Sequence, residues 1–244
     1  MTDATESAPS QHVIAGTVLT MPVRVRKATQ HMAMFSVDAD AAQRMIDYSG
    51  LQVCRFRPRR AVAVLMLMHY VDSDLGEYYE YGTNIMVNPP GSNASGLRAL
   101  QSAGAFIHHL PVDQAFTLEA GRSIWGYPKV MADFAVRDGK NFGFDVTIDG
   151  RFAVGMDFRP GLPVPAPSKP QAPPTYSHLD GVTRETVGVM RPSGVRYRPG
   201  GVTVRLGDHP YARELAALGL PKRAMLSGSA DNVDMTFADA QEIK

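Results

Sequence analysis

The chain has 244 residues, 44% hydrophobic and 20% charged, the balance of a soluble globular protein long enough to bury a sizeable core. Its 25 basic side chains against 24 acidic ones leave a net charge of +1, which argues against recruitment of nucleic acid or an anionic membrane and points to a small-molecule partner. A single cysteine, Cys54, excludes an intramolecular disulfide, fits a reducing compartment and reads as a packed strand residue.

Residues 1–12, "MTDATESAPSQH", carry two acids, no Lys or Arg and no apolar core of the kind a secretory signal needs. They are expected to form a disordered tail ahead of one domain over residues 13–244. Strands are expected at 17–26 and 32–37, then a helix at 39–48 with Asp38 placed to cap its free amides. The longest apolar run, "AVAVLMLMHYV" at 61–71, is about half the ~20 residues that a spanning helix requires. It reads as a buried strand, and the chain is expected to be cytoplasmic with no membrane partner.

A further strand is expected at 78–87, followed by helices at 96–103 behind Ser95 and at 113–124, the latter with no upstream Ser or Asp to cap it. Between Met131 and Phe158, three β-prone runs are separated by two Asp-Gly pairs. That pattern reads as a meander with tight turns at Asp138-Gly139 and Asp149-Gly150, where glycine supplies φ > 0. The segment 159–174, "RPGLPVPAPSKPQAPP", is too rich in proline for regular helix or central strand. It is expected to be an extended crossover, or an arm laid on a neighbouring subunit. A strand at 202–206 and a helix at 211–218 behind Asp208 complete the series. The whole reads as α+β, mainly β, with a mostly antiparallel sheet.

Most site signatures are absent. The seven histidines show no His-Glu-x-x-His spacing, and the adjacent pair His108-His109 in a strand is expected to point to opposite faces. No metal and no cofactor are expected, since P-loop, Rossmann and Gly-x-Ser-x-Gly patterns are missing as well. What stands out is Lys129 in "SIWGYPKV", 123–130. The chain has only six lysines. Lys27, Lys140, Lys169, Lys222 and Lys244 all have ordinary surface settings, whereas Lys129 sits in the most aromatic short run of the chain. Either its stem packs on Trp125 while the ammonium snorkels to water, or its amine is held neutral.

The stretch "GRSIWGYPK", 121–129, resembles the one that carries the Schiff-base lysine in the acetoacetate decarboxylase family. Upstream, "LGEYYEYG", 75–82, resembles the family segment that supplies an active-site glutamate, which places Glu80 in that role. The final residues from 206 to 243 are similar to the family's closing pattern of strand, capped helix, Leu-Pro bend and strand, so the resemblance runs from about residue 20 to the end. It implies an antiparallel barrel-like sheet closed by a few helices, assembled as a homo-oligomer. It also implies a cofactor-independent lyase that decarboxylates acetoacetate or a related β-keto acid. Lys129 and Glu80 would be catalytic, with Trp125, Tyr127, Val130 and Arg122 around the substrate; Arg122 also reads as a structural ion-pair former.

The resemblance is incomplete in three places. Val130 stands where the decarboxylases have a second lysine. Ala28 falls opposite the family's substrate-site arginine, with Arg24, Arg26 or Lys27 as stand-ins, and Leu65 falls on a further family acid. A free lysine near pKa ~10.4 is almost wholly protonated at neutral pH, and bringing it to about 7 destabilises the ammonium by about 4–5 kcal/mol. Desolvation supplies shifts of that size, and lysine activation by an apolar pocket or a cationic neighbour is the known device of acetoacetate decarboxylase itself. Aldol or dehydration chemistry on a larger keto acid, or a binding role without turnover, remain as alternatives.

Overall fold

Seven strands close on one another in the computed structural model, which describes residues 9–243. Around the barrel they run Val23–Asp38, Asn232–Phe237, Val182–Ser193, Pro174–Leu179, Gly104–Val112, Tyr78–Val87 and Arg60–Ser73, the last pairing back to the first. Neighbours are antiparallel except Pro174–Leu179 against Gly104–Val112. The short strand Lys129–Met131 also runs parallel to Gly104–Val112. The expected barrel-like, mainly antiparallel architecture is therefore present. The apolar run expected as a strand lies within Arg60–Ser73, and among the described residues no helix is long and apolar enough to cross a membrane.

Period-2 alternation gives each strand two faces. On one face, Phe35, Leu65, Tyr81, Ile85 and Phe106 pack in a cluster with Phe144, Val146, Met156 and Phe158 of a separate antiparallel sheet. That sheet comprises Asp133–Arg137, Phe142–Ile148, Arg151–Phe158 and Val202–Leu206. On the other face, Ala28, Met68, Tyr70, Tyr78, Leu110 and Val112 form a second cluster with Ile124 and Trp125. Glu80 pairs with Met68 and Val112, and so shares this second face.

Among the described residues, three α-helices close the structure: α1 (Ala39–Ile46), α2 (Ala115–Trp125) and α3 (Pro210–Ala217). Asp38 caps α1 as expected, accepting from the amides of Asp40 and Ala41. Gln114 caps α2, its amide oxygen accepting from the Thr117 amide at 2.7 Å, a role its longer side chain does not advertise in sequence. At α3 the cap is His209, which accepts from the Tyr211 amide, and not Asp208. The expected helix at 96–103 is only a 3-10 turn, Leu97–Gln101, with no side-chain cap to hold the free amides.

Several other expectations are corrected. The strands expected at 17–26 and 32–37 divide differently. Thr17–Thr20 pairs with Gln11–Ile14, and Val23–Asp38 is one continuous strand. Gln11 and His12 thus lie in a strand and not in a tail; residues 1–8 of that expected tail lie outside the described residues. Asp149-Gly150 forms the expected turn with φ of 51° and 71°. Asp138-Gly139 opens a longer loop, 138–141, in which Gly139 does not adopt positive φ. Cys54 is buried but lies outside any strand, its amide bonded to the Met86 carbonyl. The proline-rich crossover runs along its own chain, with Leu162–Pro163 paired to Arg196–Arg198 and Gln171 bridged to Met190. Pro174 opens a barrel strand, one of the few strand positions that tolerates the missing donor.

Candidate active site

Helix α2 ends at Gly126, whose φ of +61° lets its amide reach back to the Arg122 carbonyl, a left-handed cap that glycine adopts without strain. The chain then turns through Tyr127 and Pro128 and enters the strand at Lys129. Being first in that strand, opposite Leu110, aims the lysine at the same face as Glu80. Its side chain is 2% exposed, which rules out snorkelling. The stem lies across Gly121 of α2, where a Cβ would stand 2.5 Å from Lys129 Cδ, so a side chain at 121 would displace the lysine.

Lys129 Nζ donates to Thr117 Oγ1 at 2.8 Å and lies 2.8 Å from Glu80 Oε2. Tyr70 donates its hydroxyl to Glu80 Oε1 at 2.9 Å. Tyr78 stacks on Tyr70 and presents its ring face 5.1 Å from Nζ, a distance at which a cationic nitrogen is attracted. Burial holds the Lys129 amine below its ordinary pKa, while the Glu80 carboxylate pulls in the opposite direction. Burial and the same carboxylate push both the Tyr70 and Tyr78 hydroxyls well above the usual phenol range. They remain proton donors at neutral pH. The arrangement is a buried amine and carboxyl held within one hydrogen bond, with two hydroxylic groups completing their partners.

The remaining candidates divide by position. Tyr127 is buried on the Lys129 side, and burial, with a smaller contribution from the Glu80 charge, pushes its hydroxyl pKa up to about 12. Trp125 stacks on Tyr127 and donates its indole N–H to the Ala238 carbonyl at 2.8 Å, so it anchors the C-terminal segment. Arg122 is exposed, and its guanidinium donates to the Lys129 carbonyl at 3.2 Å. It holds the backbone of the lysine at its carbonyl. Val130 points away, packing into the opposite cluster because successive strand residues alternate. It therefore does not desolvate the amine. Val130→Lys is accordingly expected to leave the pH midpoint of Lys129 acylation unmoved, below ~10.4; peptide mass spectrometry across a pH series checks this, and a lowered midpoint in the variant would contradict it.

Nor do the stand-in cations serve the site. Arg24, Arg26 and Lys27 are exposed, and Arg26 is tied to Asp72 and Asp74. Ala28 does lie on the Lys129 face, opposite Tyr70, but offers only a methyl group. Leu65 belongs to the other cluster, while Met66 and Met68 occupy the Glu80 face. Thr117, Tyr70, Tyr78 and Gly121 escape a reading of the sequence as site residues. Only Gly121 and Tyr78 carry a signal there, since Gly121 opens the "GRSIWGYPK" stretch and Tyr78 lies in "LGEYYEYG".

An acetoacetate decarboxylase (ADC) family model matches residues 7–241. The chain belongs to the acetoacetate decarboxylase family. Its fold is similar to that of an acetoacetate decarboxylase from Legionella pneumophila, at TM-score 0.67 and 15% identity over 99% of this chain and 93% of that one. It is also similar to the enduracididine biosynthesis enzyme MppR complexed with pyruvate, at TM-score 0.66 and 17% identity over 98% and 99%. An acetoacetate decarboxylase-like enzyme from Sphingomonas wittichii RW1 aligns at TM-score 0.63 and 14% identity over 97% and 100%. No curated protein matches the chain.

Proposed function

We propose that this family member forms a Schiff base through Lys129 with a small β-keto acid, acetoacetate or a relative of it, and releases carbon dioxide. The observation that carries the reading is the buried Lys129 amine, hydrogen-bonded to Thr117 and paired with Glu80. The neutral amine attacks the ketone carbon and forms the C–N bond, and the ketone oxygen, protonated twice, leaves as water. In the resulting iminium the bond to the carboxylate breaks, its electron pair moves to nitrogen and carbon dioxide departs. A proton then adds to the enamine carbon, and water hydrolyses the iminium to free the ketone and regenerate the lysine. Glu80 stabilises the positive nitrogen and exchanges the protons, and the tyrosine wall keeps bulk water away.

A second reading rests on the missing cation. With Ala28 on the site face and Arg24, Arg26 and Lys27 exposed, these positions supply no charge to hold a substrate carboxylate. This favours aldol or dehydration chemistry on a larger keto acid through the same imine. MppR has been captured with the condensation product of pyruvate and imidazole 4-carboxaldehyde, so the fold accommodates such condensation products. Incubation with acetoacetate or pyruvate and borohydride is expected to attach to the peptide that contains Lys129 the reduced ligand less its carbonyl oxygen, or, with acetoacetate, the isopropyl group left once carbon dioxide has departed. Carbon dioxide release from acetoacetate then separates the two readings, and labelling at another lysine, or at none, overturns both.

A further inference from the structure

His108 and His109 stand on one face of their strand. The ladder between Tyr78–Val87 and Gly104–Val112 slips at this point: Thr83 pairs with His109 while Asn84 pairs with Ile107, leaving His108 as the extra residue. A β-bulge sets two consecutive side chains opposite a single partner residue, which overturns the opposite-face expectation for this pair. Both imidazoles reach the same atom of α3. His108 Nε2 lies 2.8 Å and His109 Nε2 2.5 Å from Glu214 Oε2.

We infer that His108, His109 and Glu214 form a binding site for a divalent transition metal ion of the zinc type, which clamps α3 to the barrel. Two imidazole nitrogens and a carboxylate oxygen suit zinc, and all three atoms lie within 4.8 Å of one another. Around an ion with bonds of ~2.0–2.1 Å, tetrahedral ligand atoms stand about 3.3 Å apart. Glu214 therefore needs to withdraw by roughly half an ångström or a little more, and its side chain, 42% exposed, is free to do so. The same exposure leaves a coordination position open to water.

The imidazoles are held as ligands must be. The Tyr48 hydroxyl hydrogen-bonds His108 Nδ1 at 2.8 Å, fixing the ring and leaving Nε2 to bind the ion. Tyr211 stacks on His109 with centroids 3.4 Å apart. Both histidines are less than a tenth exposed. A hydrogen-bonded latch between helix and strand needs only one imidazole, whereas a chelate needs both, and the bulge supplies the second at the expense of a ladder position. Thr83, paired to His109, alternates with Tyr81 and Ile85, which face away from Glu80. The ion's role is structural and independent of Lys129.

The test uses the full chain, stripped with a chelator and titrated with Zn²⁺ against a chromophoric competitor, and in parallel with Co²⁺. One equivalent of Zn²⁺ per chain is expected, with visible d–d bands for the Co²⁺ form and a raised melting midpoint with either ion. Glu214→Gln keeps an acceptor for both imidazoles and so preserves the fold; it is expected to weaken Zn²⁺ at least tenfold and to abolish the midpoint shift. Tyr48→Phe is expected to weaken binding on the order of tenfold. Binding below one equivalent, or unchanged affinity in Glu214→Gln, overturns the proposal and leaves a hydrogen-bonded latch only.

Discussion

Lys129→Met is expected to abolish borohydride trapping and to lower turnover by on the order of ten-thousandfold or more, because removal of a covalent nucleophile leaves only binding and positioning. Methionine approximates the lysine stem across Gly121, so the packing under α2 is largely kept. The pair is not kept. Glu80, 7% exposed, is left with Tyr70 as its donor and without the lysine, and breaking one side of a buried pair typically costs a few kcal/mol. Urea unfolding of Lys129→Met should show that loss, and the double variant Lys129→Met with Glu80→Gln should recover part of it, since a neutral amide has no unpaired charge to bury. Retained turnover in Lys129→Met would remove the Schiff base from the mechanism.

On the proposed mechanism, in which the carboxylate moves protons and stabilises an iminium without forming the covalent bond, Glu80→Gln is expected to reduce turnover about a hundredfold or more while imine formation persists. The pH dependence gives a second and independent reading. Glu80 raises the Lys129 pKa against the larger lowering by burial. Removing its charge takes away the main opposing influence, so the amine becomes neutral at lower pH. The midpoint for acylation of Lys129 should therefore move down, and imine formation below that of the native protein's midpoint should become faster, even as turnover falls. A midpoint that rises, or full activity in the glutamine variant, would show that the carboxylate does not face the amine in solution.

The two effects together distinguish the carboxylate's duties. An influence on the lysine's protonation alone would change the pH profile and leave the plateau rate intact; proton transfer in the later steps lowers the plateau itself. The native geometry, with Tyr70 on one carboxylate oxygen and Lys129 on the other, permits both.

How much of this was legible beforehand depends on the range over which each determinant acts. Local chemistry was readable. The strands at Tyr78–Val87 and Val202–Leu206 were expected with their observed bounds, Asp38 announced α1, and Asp149-Gly150 announced a hairpin, since each depends on residues adjacent in the chain. Lys129 was legible because an isolated lysine among aromatics is chemically odd, and Glu80 because its segment resembles one that a known family uses. What the chain order hides is which side of a strand each residue faces and what arrives there from far away. Val130 is adjacent to Lys129 yet packs in the opposite cluster, because alternation separates neighbours. Thr117 and Tyr70 stand 12 and 10 residues from Lys129 and Glu80 yet touch them, because the turn out of α2 and the register between adjacent strands bring them in. The bulge at His108 depends on register against another strand, which no local pattern encodes, and Glu214 meets the two histidines only when α3 docks. The sequence by itself singled out Lys129 and Glu80 and determined the strand-rich class; only barrel closure decided which side chains share a face, because side-chain direction follows from register and packing and not from order along the chain.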